Sequence, residues 1–337
     1  MSKPRRILIL APHPDDEVAS CGIAALRARA TGARVFVLYL TTGVAERAAL
    51  WVWQRPSHAA RVGRRREEAQ LAAAVLGLVP VGFSDVPSRR LRADLERAAA
   101  ELDRVIARCA VDALWVPAFE GGHQDHDAAN ALAASFAGRL PVWEFAAYNF
   151  AGGRVRANRF ATERGGEVAI KATAGEAHHK RTALGCYASE RGNLGIFGVE
   201  RETWRPLPAH GYGAPPHPGR LFRERFHWVP FRHPRVDFDA SAEVYRDIGS
   251  WASAARPQRA AVLGDRPGGD PGQPDREFAR PFDEAEGEGG LGGEPGQGRQ
   301  GNEGGLLCAP AGGDREGGAA GGEAEAFEQE GLGGAAR

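Results

Sequence analysis

The first 150 residues alternate short apolar runs with helical patterns, and this alternation restricts the fold more than any other feature of the chain. Ile7-Leu8-Ile9-Leu10, Val35 to Leu40 and Ala113-Leu114-Trp115-Val116-Pro117 have the length of buried strands and are too short for core helices. Val79 to Phe83 reads as a further strand, and Val142 to Tyr148 as extended. Between them lie an Ala-rich helix over 17–30, a helix from about Arg64 to Leu76 closed by Gly77 as C-cap, and helices over Leu91 to Cys109 and Asp127 to Phe136. Repeated strand and helix units predict an α/β fold, a Rossmann-like, mainly parallel sheet with helices on both faces. Past residue 150 the pattern weakens to a strand at Glu167 to Ile170, a helix at Ala174 to Cys186, and a loop-rich stretch from Gly192 to Arg235.

Glycine use then changes sharply. Of the 45 glycines, 23 fall in residues 261–337, where aliphatic clusters are rare and no repeat period exists. Such a segment buries too little apolar surface to offset its ordering entropy, so a disordered, low-complexity Gly/Glu-rich tail is expected over 257–337, after a domain over 1–256. Residues 261–337 hold 6 basic against 16 acidic side chains, so the zero net charge of the chain hides an excess of ten positive charges in residues 1–260. Cys21, Cys109, Cys186 and Cys308 form no CxxC pair and read as reduced thiols rather than a disulfide framework. The longest apolar runs fall far short of the ~20 residues that cross a bilayer. The apolar stretch after Lys3, Arg5 and Arg6 is too short for a signal sequence, and a cytoplasmic location without membrane partners is expected.

Open α/β sheets bind ligands beyond the carboxyl ends of their strands. Two such ends carry the chain's densest His and Asp clusters. After the first strand comes Ala11-Pro12-His13-Pro14-Asp15-Asp16-Glu17, and after the fourth comes Glu120-Gly121-Gly122-His123-Gln124-Asp125-His126-Asp127. Either loop alone reads as ordinary helix capping. Together, on neighbouring parallel strands, they offer two imidazoles and a carboxylate from separate loops, a donor set that suits Zn²⁺ with a fourth position left for water. Pro14 biases His13 toward an extended conformation, which lets His13 and Asp16 face one point while Asp15 reaches a water. Asp125 is placed to orient one of the histidines as a hydrogen-bond acceptor. Arg65, with its bidentate fork, is a candidate to hold a sugar hydroxyl or a phosphate.

These residues resemble the PIG-L/LmbE-like N-acetylglucosaminyl deacetylases. The resemblance rests on the strand followed by Ala11-Pro12-His13-Pro14-Asp15-Asp16-Glu17 with Cys21-Gly22, and on Gly122-His123-Gln124-Asp125-His126. Arg65 and Glu68 before Leu76-Gly77 are similar to the family's Arg-x-x-Glu helix, and Phe83-Ser84-Asp85 to its Gly-Phe-Pro-Asp segment. Glu176 to Lys180, Ala183-Leu184 and Tyr187-Ala188-Ser189 resemble its late Lys helix and Tyr-x-Ser. The resemblance implies one Zn²⁺ per chain on His13, Asp16 and His126, with Asp15 as general base and His123 assisting the transition state. It implies hydrolysis of an N-acetyl or related N-acyl group on a small amino sugar or a glycoconjugate. Gln124 departs from the family's commoner proline, and Ile23 from a second glycine.

Other function classes fare worse. A nucleotide-binding module needs a Gly-rich loop after the first strand, and that turn has no GxGxxG. Nucleic-acid binding has only the Arg61 to Arg66 cluster behind it, which a solvated helix start explains. An amidase of a sugar-linked thiol conjugate and a non-catalytic carbohydrate-binding member are the alternatives. Oligomeric state is not written in this sequence.

Overall fold

The structure, a computed structural model, describes residues 5–261 apart from 227, 230, 232 and 235. Strands β1 (Arg6–Ala11), β2 (Arg34–Tyr39), β3 (Val79–Phe83), β4 (Ala113–Pro117) and β5 (Val142–Phe145) pair in parallel in the order β3-β2-β1-β4-β5. A two-residue hairpin, β6 (Tyr148–Asn149) and β7 (Arg156–Ala157), stands apart. Beyond β5 the main sheet is completed by β9 (Arg201–Pro206), antiparallel to it, and β8 (Val168–Lys171), antiparallel to β9.

The helices are α1 (Asp16–Ala19), α2 (Gly22–Ala30), α3 (His58–Leu76), α4 (Leu95–Cys109), α5 (Gln124–Ala134), α6 (Ala174–Gly185), α7 (Arg191–Leu194) and α8 (Ser241–Ala261). Among the described residues the two large hydrophobic clusters lie one on each sheet face. Ile7, Ile9, Val35 and Val37 join α2, α3 and α6 residues in one, and Leu8, Leu10, Phe36 and Leu38 join α4, α5 and α8 residues in the other. Alternation with period two thus persists in strands that are buried on both sides, as parallel strands between helix layers require.

The sequence expectations hold for the five parallel strands, and Gly77 closes α3 at φ 64°, a left-handed turn that favours glycine. Four details differ. The helix expected over 17–30 is broken at Ser20 and Cys21, because the N-terminus of α2 is capped from a distance: Ile23 N and Ala24 N donate to the Glu202 carboxylate of β9 at 2.9 and 3.0 Å. Lys180 of α6, fully buried, donates to the same carboxylate at 2.9 Å, so it is structural. The stretch expected to be loop-rich contains β9, and α5 begins at Gln124 rather than Asp127, which puts His126 in its first turn. Finally, α8 was not anticipated and spans the expected boundary at residue 256; the expected tail lies, beyond residue 261, outside the described residues. Among the described residues no helix is long and apolar enough to cross a membrane, and Cys21 and Cys109 are free thiols.

Candidate metal centre and catalytic site

The strand order reverses between β1 and β4, and the loops leaving these two strands border the crevice that such a reversal opens. From the first loop come His13 and Asp16, from the second His126. His13 Nδ1 stands 3.3 Å from Asp16 Oδ2 and 3.3 Å from His126 Nε2, and His126 Nε2 stands 3.2 Å from Asp16 Oδ1. Ligands of a tetrahedral ion bound at about 2.0–2.1 Å are about 3.3–3.4 Å from one another, so this donor set fits a zinc-sized cation. All three residues are buried.

The other side of His13 fixes which nitrogen faces that point. Its Nε2 lies 3.1 Å from Asp125 Oδ2 and carries a proton toward that carboxylate, so Nδ1 is the nitrogen turned toward Asp16 and His126. Asp125 is fully buried and also accepts from Arg89 N at 2.6 Å, Leu91 N at 3.1 Å and the Ser88 hydroxyl at 3.4 Å. Against the desolvation that raises it, the His13 hydrogen bond and its charged surroundings hold the Asp125 carboxyl down at about 2. A second grouping, His13 with His123 and Asp125, also brings ligand atoms together. Its carboxylate oxygen is already occupied by those donors, which makes it the poorer cation site. Desolvation pulls the His13 pKa down, but Asp125 and Asp16 outweigh it and raise the imidazole to about 10. The cluster therefore demands positive charge.

Asp15 sits at the N-cap of α1, yet its side chain makes no capping hydrogen bond. The ordinary explanation of an Asp before a helix does not apply, and the carboxylate instead meets Arg65 Nη2 at 3.0 Å. Burial pushes Asp15 up to about 7 while Arg65 pulls the other way. Arg65 is 3 % exposed; its Nη2 also donates to the Pro14 carbonyl, its Nη1 is ion-paired with Glu190 Oε1 at 3.5 Å, and its Nε has no hydrogen-bond partner. Glu17 accepts from Asp15 N at 3.0 Å and from the Tyr187 hydroxyl, with burial lifting its carboxyl to about 8. Glu68 accepts from Ser189 N at 2.9 Å and from its hydroxyl at 2.5 Å, fastening the segment after Tyr187 to α3.

His123, extended at φ −142°, caps α5: its Nδ1 accepts from Asp125 N at 3.1 Å. An imidazole that accepts at Nδ1 carries its proton on Nε2. Burial and the neighbouring His13 keep its pKa well below the ordinary value, so it is a neutral donor. Its ring centroid is 4.4 Å from that of His13. Asp127 closes the same loop, accepting from Glu120 N and Gly121 N at 3.1 Å each and from the Tyr245 hydroxyl at 2.8 Å.

Two residues mean more in the structure than in the sequence. Tyr148 lies with its ring 5.2 Å from that of His126, a placement that needs Gly122, since a Cβ there would stand 2.2 Å from the Tyr148 carbonyl oxygen. Gln124, the departure from proline, is fully buried; its amide donates to Asp237 and Asp239 at 2.9 and 3.0 Å and accepts from Arg92 Nε at 2.9 Å. A proline could make none of these bonds, and its motif neighbours gave no sign of them.

Fold and site together define an open α/β protein whose switch point gathers two histidines and one aspartate that could hold a cation. Residues 8–137 match the model of the PIG-L family, described as GlcNAc-PI de-N-acetylase. No curated protein matches the chain. Among solved structures it is similar to the zinc-inhibited form of the teicoplanin deacetylase Orf2, at 20 % identity over 60 % of this chain and 97 % of that one, with a TM-score of 0.46. It is also similar to GalB, a 4-carboxy-2-hydroxymuconate hydratase from Pseudomonas putida (18 % identity, 61 % and 97 % covered, TM-score 0.44). A third is the N,N'-diacetylchitobiose deacetylase from Pyrococcus horikoshii (14 % identity, 60 % and 84 % covered, TM-score 0.43).

Proposed function

We propose that this protein is a zinc-dependent hydrolase that removes an N-acetyl or related N-acyl group from an amino sugar or glycoconjugate. The observation that carries the reading is the convergence of His13, Asp16 and His126 beside an uncapped Asp15, within the stretch that matches the PIG-L family. Those three residues would hold one zinc ion per chain, which would supply Lewis acidity to the attacking water and the amide carbonyl.

The chain's own residues do the rest. Asp15 takes the proton of the attacking water and returns it to the departing amine. His123, neutral and with its proton on Nε2, donates to the carbonyl oxygen as charge develops there. Asp125 keeps the Nδ1 lone pair of His13 on the site. Arg65 holds the base loop through Asp15 and the Pro14 carbonyl and is the candidate to hold a sugar hydroxyl. We place this activity in residues 1–256, in the cytoplasm, and regard 257–337 as dispensable; deletion of 262–337 should leave both activity and solubility intact.

The test is free-amine release by zinc-loaded protein from N-acetylated sugars, a glycan-peptide and a sugar-linked thiol conjugate, which also identifies the acyl donor. Wild type should carry about one zinc per chain and release amine from at least one of them, whereas His13→Ala should lose the metal. Equal silence of wild type and Asp15→Ala on every substrate would remove the hydrolase reading.

A further inference from the structure

The backbone of Asp15 adopts φ 134° and ψ −25°, a conformation that side chains of L residues rarely accept and that persists only where surrounding structure enforces it. The enforcing contacts converge on one peptide unit. The carbonyl of the Pro14–Asp15 peptide accepts from Arg65 Nη2, and its N–H, on the opposite edge of the same plane, donates to Glu17 Oε2 at 3.0 Å. A peptide gripped at both edges cannot rotate, and its plane sets φ of Asp15.

Glu17 is itself held. Its second oxygen accepts the hydroxyl of Tyr187, whose ring lies 5.5 Å from the Arg65 guanidinium, and Glu17 and Tyr187 are both buried. Tyr187 thus stands behind both grips, against the residue that holds the carbonyl and bonded to the one that holds the N–H. Its neighbour Ser189 is bonded to Glu68, one turn along α3 from Arg65, which fixes the spacing between the two.

We propose that Tyr187 is a positioning residue for the reaction. Acting through Glu17, it locks the Pro14–Asp15 peptide and thereby aims the Asp15 carboxylate at the reacting water. This rests on the reading of Asp15 as the base. Removing the tyrosine hydroxyl frees Glu17 to turn, lets φ of Asp15 relax toward negative values and swings the carboxylate off line, while His13, Asp16 and His126 keep their own partners.

The experiment is Tyr187→Phe in the full-length, zinc-loaded protein. Expected is a kcat about 10- to 100-fold lower, in keeping with the cost of misplacing a catalytic group by about 1 Å, at unchanged KM and zinc content. In an Asp15→Asn background the same change should cost nothing further, because both substitutions remove one function. Glu17→Gln keeps an acceptor for the Asp15 N–H and a partner for the tyrosine hydroxyl and should retain most of kcat, whereas Glu17→Ala should behave like Tyr187→Phe; these two carry the test if Tyr187→Phe does not fold. Unchanged kcat, effects that multiply across the double variant, or zinc lost in step with activity would overturn the proposal. If wild type releases no amine at all, the hydrolase reading falls alone, and a crystal structure of Tyr187→Phe decides the positioning: φ of Asp15 kept near 134° counts against it, φ turned negative counts for it.

Discussion

The backbone of the loop after β4 is closed by its own side chains, with Asp127 taking the amides of Glu120 and Gly121 and His123 taking the amide of Asp125, while Gln124 and Asp125 also reach out to Arg92, Asp237, Asp239, Arg89 and Leu91. The loop after β1 is held chiefly from outside: Arg65 grips Pro14 and Asp15, Tyr187 backs Glu17, and Asp125 orients His13. Loops that close on themselves depend on local spacing, while loops held from elsewhere depend on the whole fold having formed. The contrast predicts that damage to the first loop strikes chemistry and damage to the second strikes stability.

Asp15→Ala should give the largest effect, a fall in kcat of about 10²- to 10⁴-fold, the range for losing a general base, with bound zinc retained. Loss of zinc in that variant would break the division of labour inside the first loop. Asp125→Ala comes next, because it belongs to the second loop by sequence and serves the first by contact; metal affinity should fall by about 10- to 100-fold, measured by competition with a chelator. Asp127→Ala should lower unfolding free energy by about 1–3 kcal/mol, the cost of stranding buried donors, with kcat of the folded fraction little changed. A catalytic defect larger than the stability defect would erase the comparison.

A further effect is a pH dependence. Burial raises the Glu120 carboxyl from 4.5 to about 8, so the native state keeps its proton at neutrality while the unfolded chain does not. The unfolded state then binds fewer protons, and stability must decline as pH rises from about 4.5 to about 8 and level off above that. Glu120→Gln cannot ionise and should flatten this decline in a series of Tm measurements. A decline of the same slope in the variant would assign it to other groups.

The same contrast explains how much was legible in the sequence. The parallel strands were readable because each is a short apolar run, and the sheet edge that gathers the two loops follows from their order. Asp15, Asp16, His123 and His126 were visible as clusters because the chemistry concentrates them in a few positions. The break between α1 and α2 was invisible, since its cause, Glu202, is 179 residues from Ile23. β9 was missed for a related reason: Arg201, Glu202, Thr203 and Arg205 make it polar in pattern, although in the sheet Glu202 and Arg205 find partners in Lys180 and Glu144. The partners that redeem a buried charge lie far along the chain, so periodicity cannot announce them.

Glu202 also orders events in time. At about 5–20 residues per second of synthesis, α2 and the loop after β1 leave the ribosome roughly 9–36 s ahead of the strand that caps one and the tyrosine that backs the other. A nascent chain that has just completed residues 8–137 already owns His13, Asp16 and His126, and still lacks Tyr187, Lys180 and Glu202. The piece of chain that matches the family is therefore shorter than the piece that must be made before the site can set.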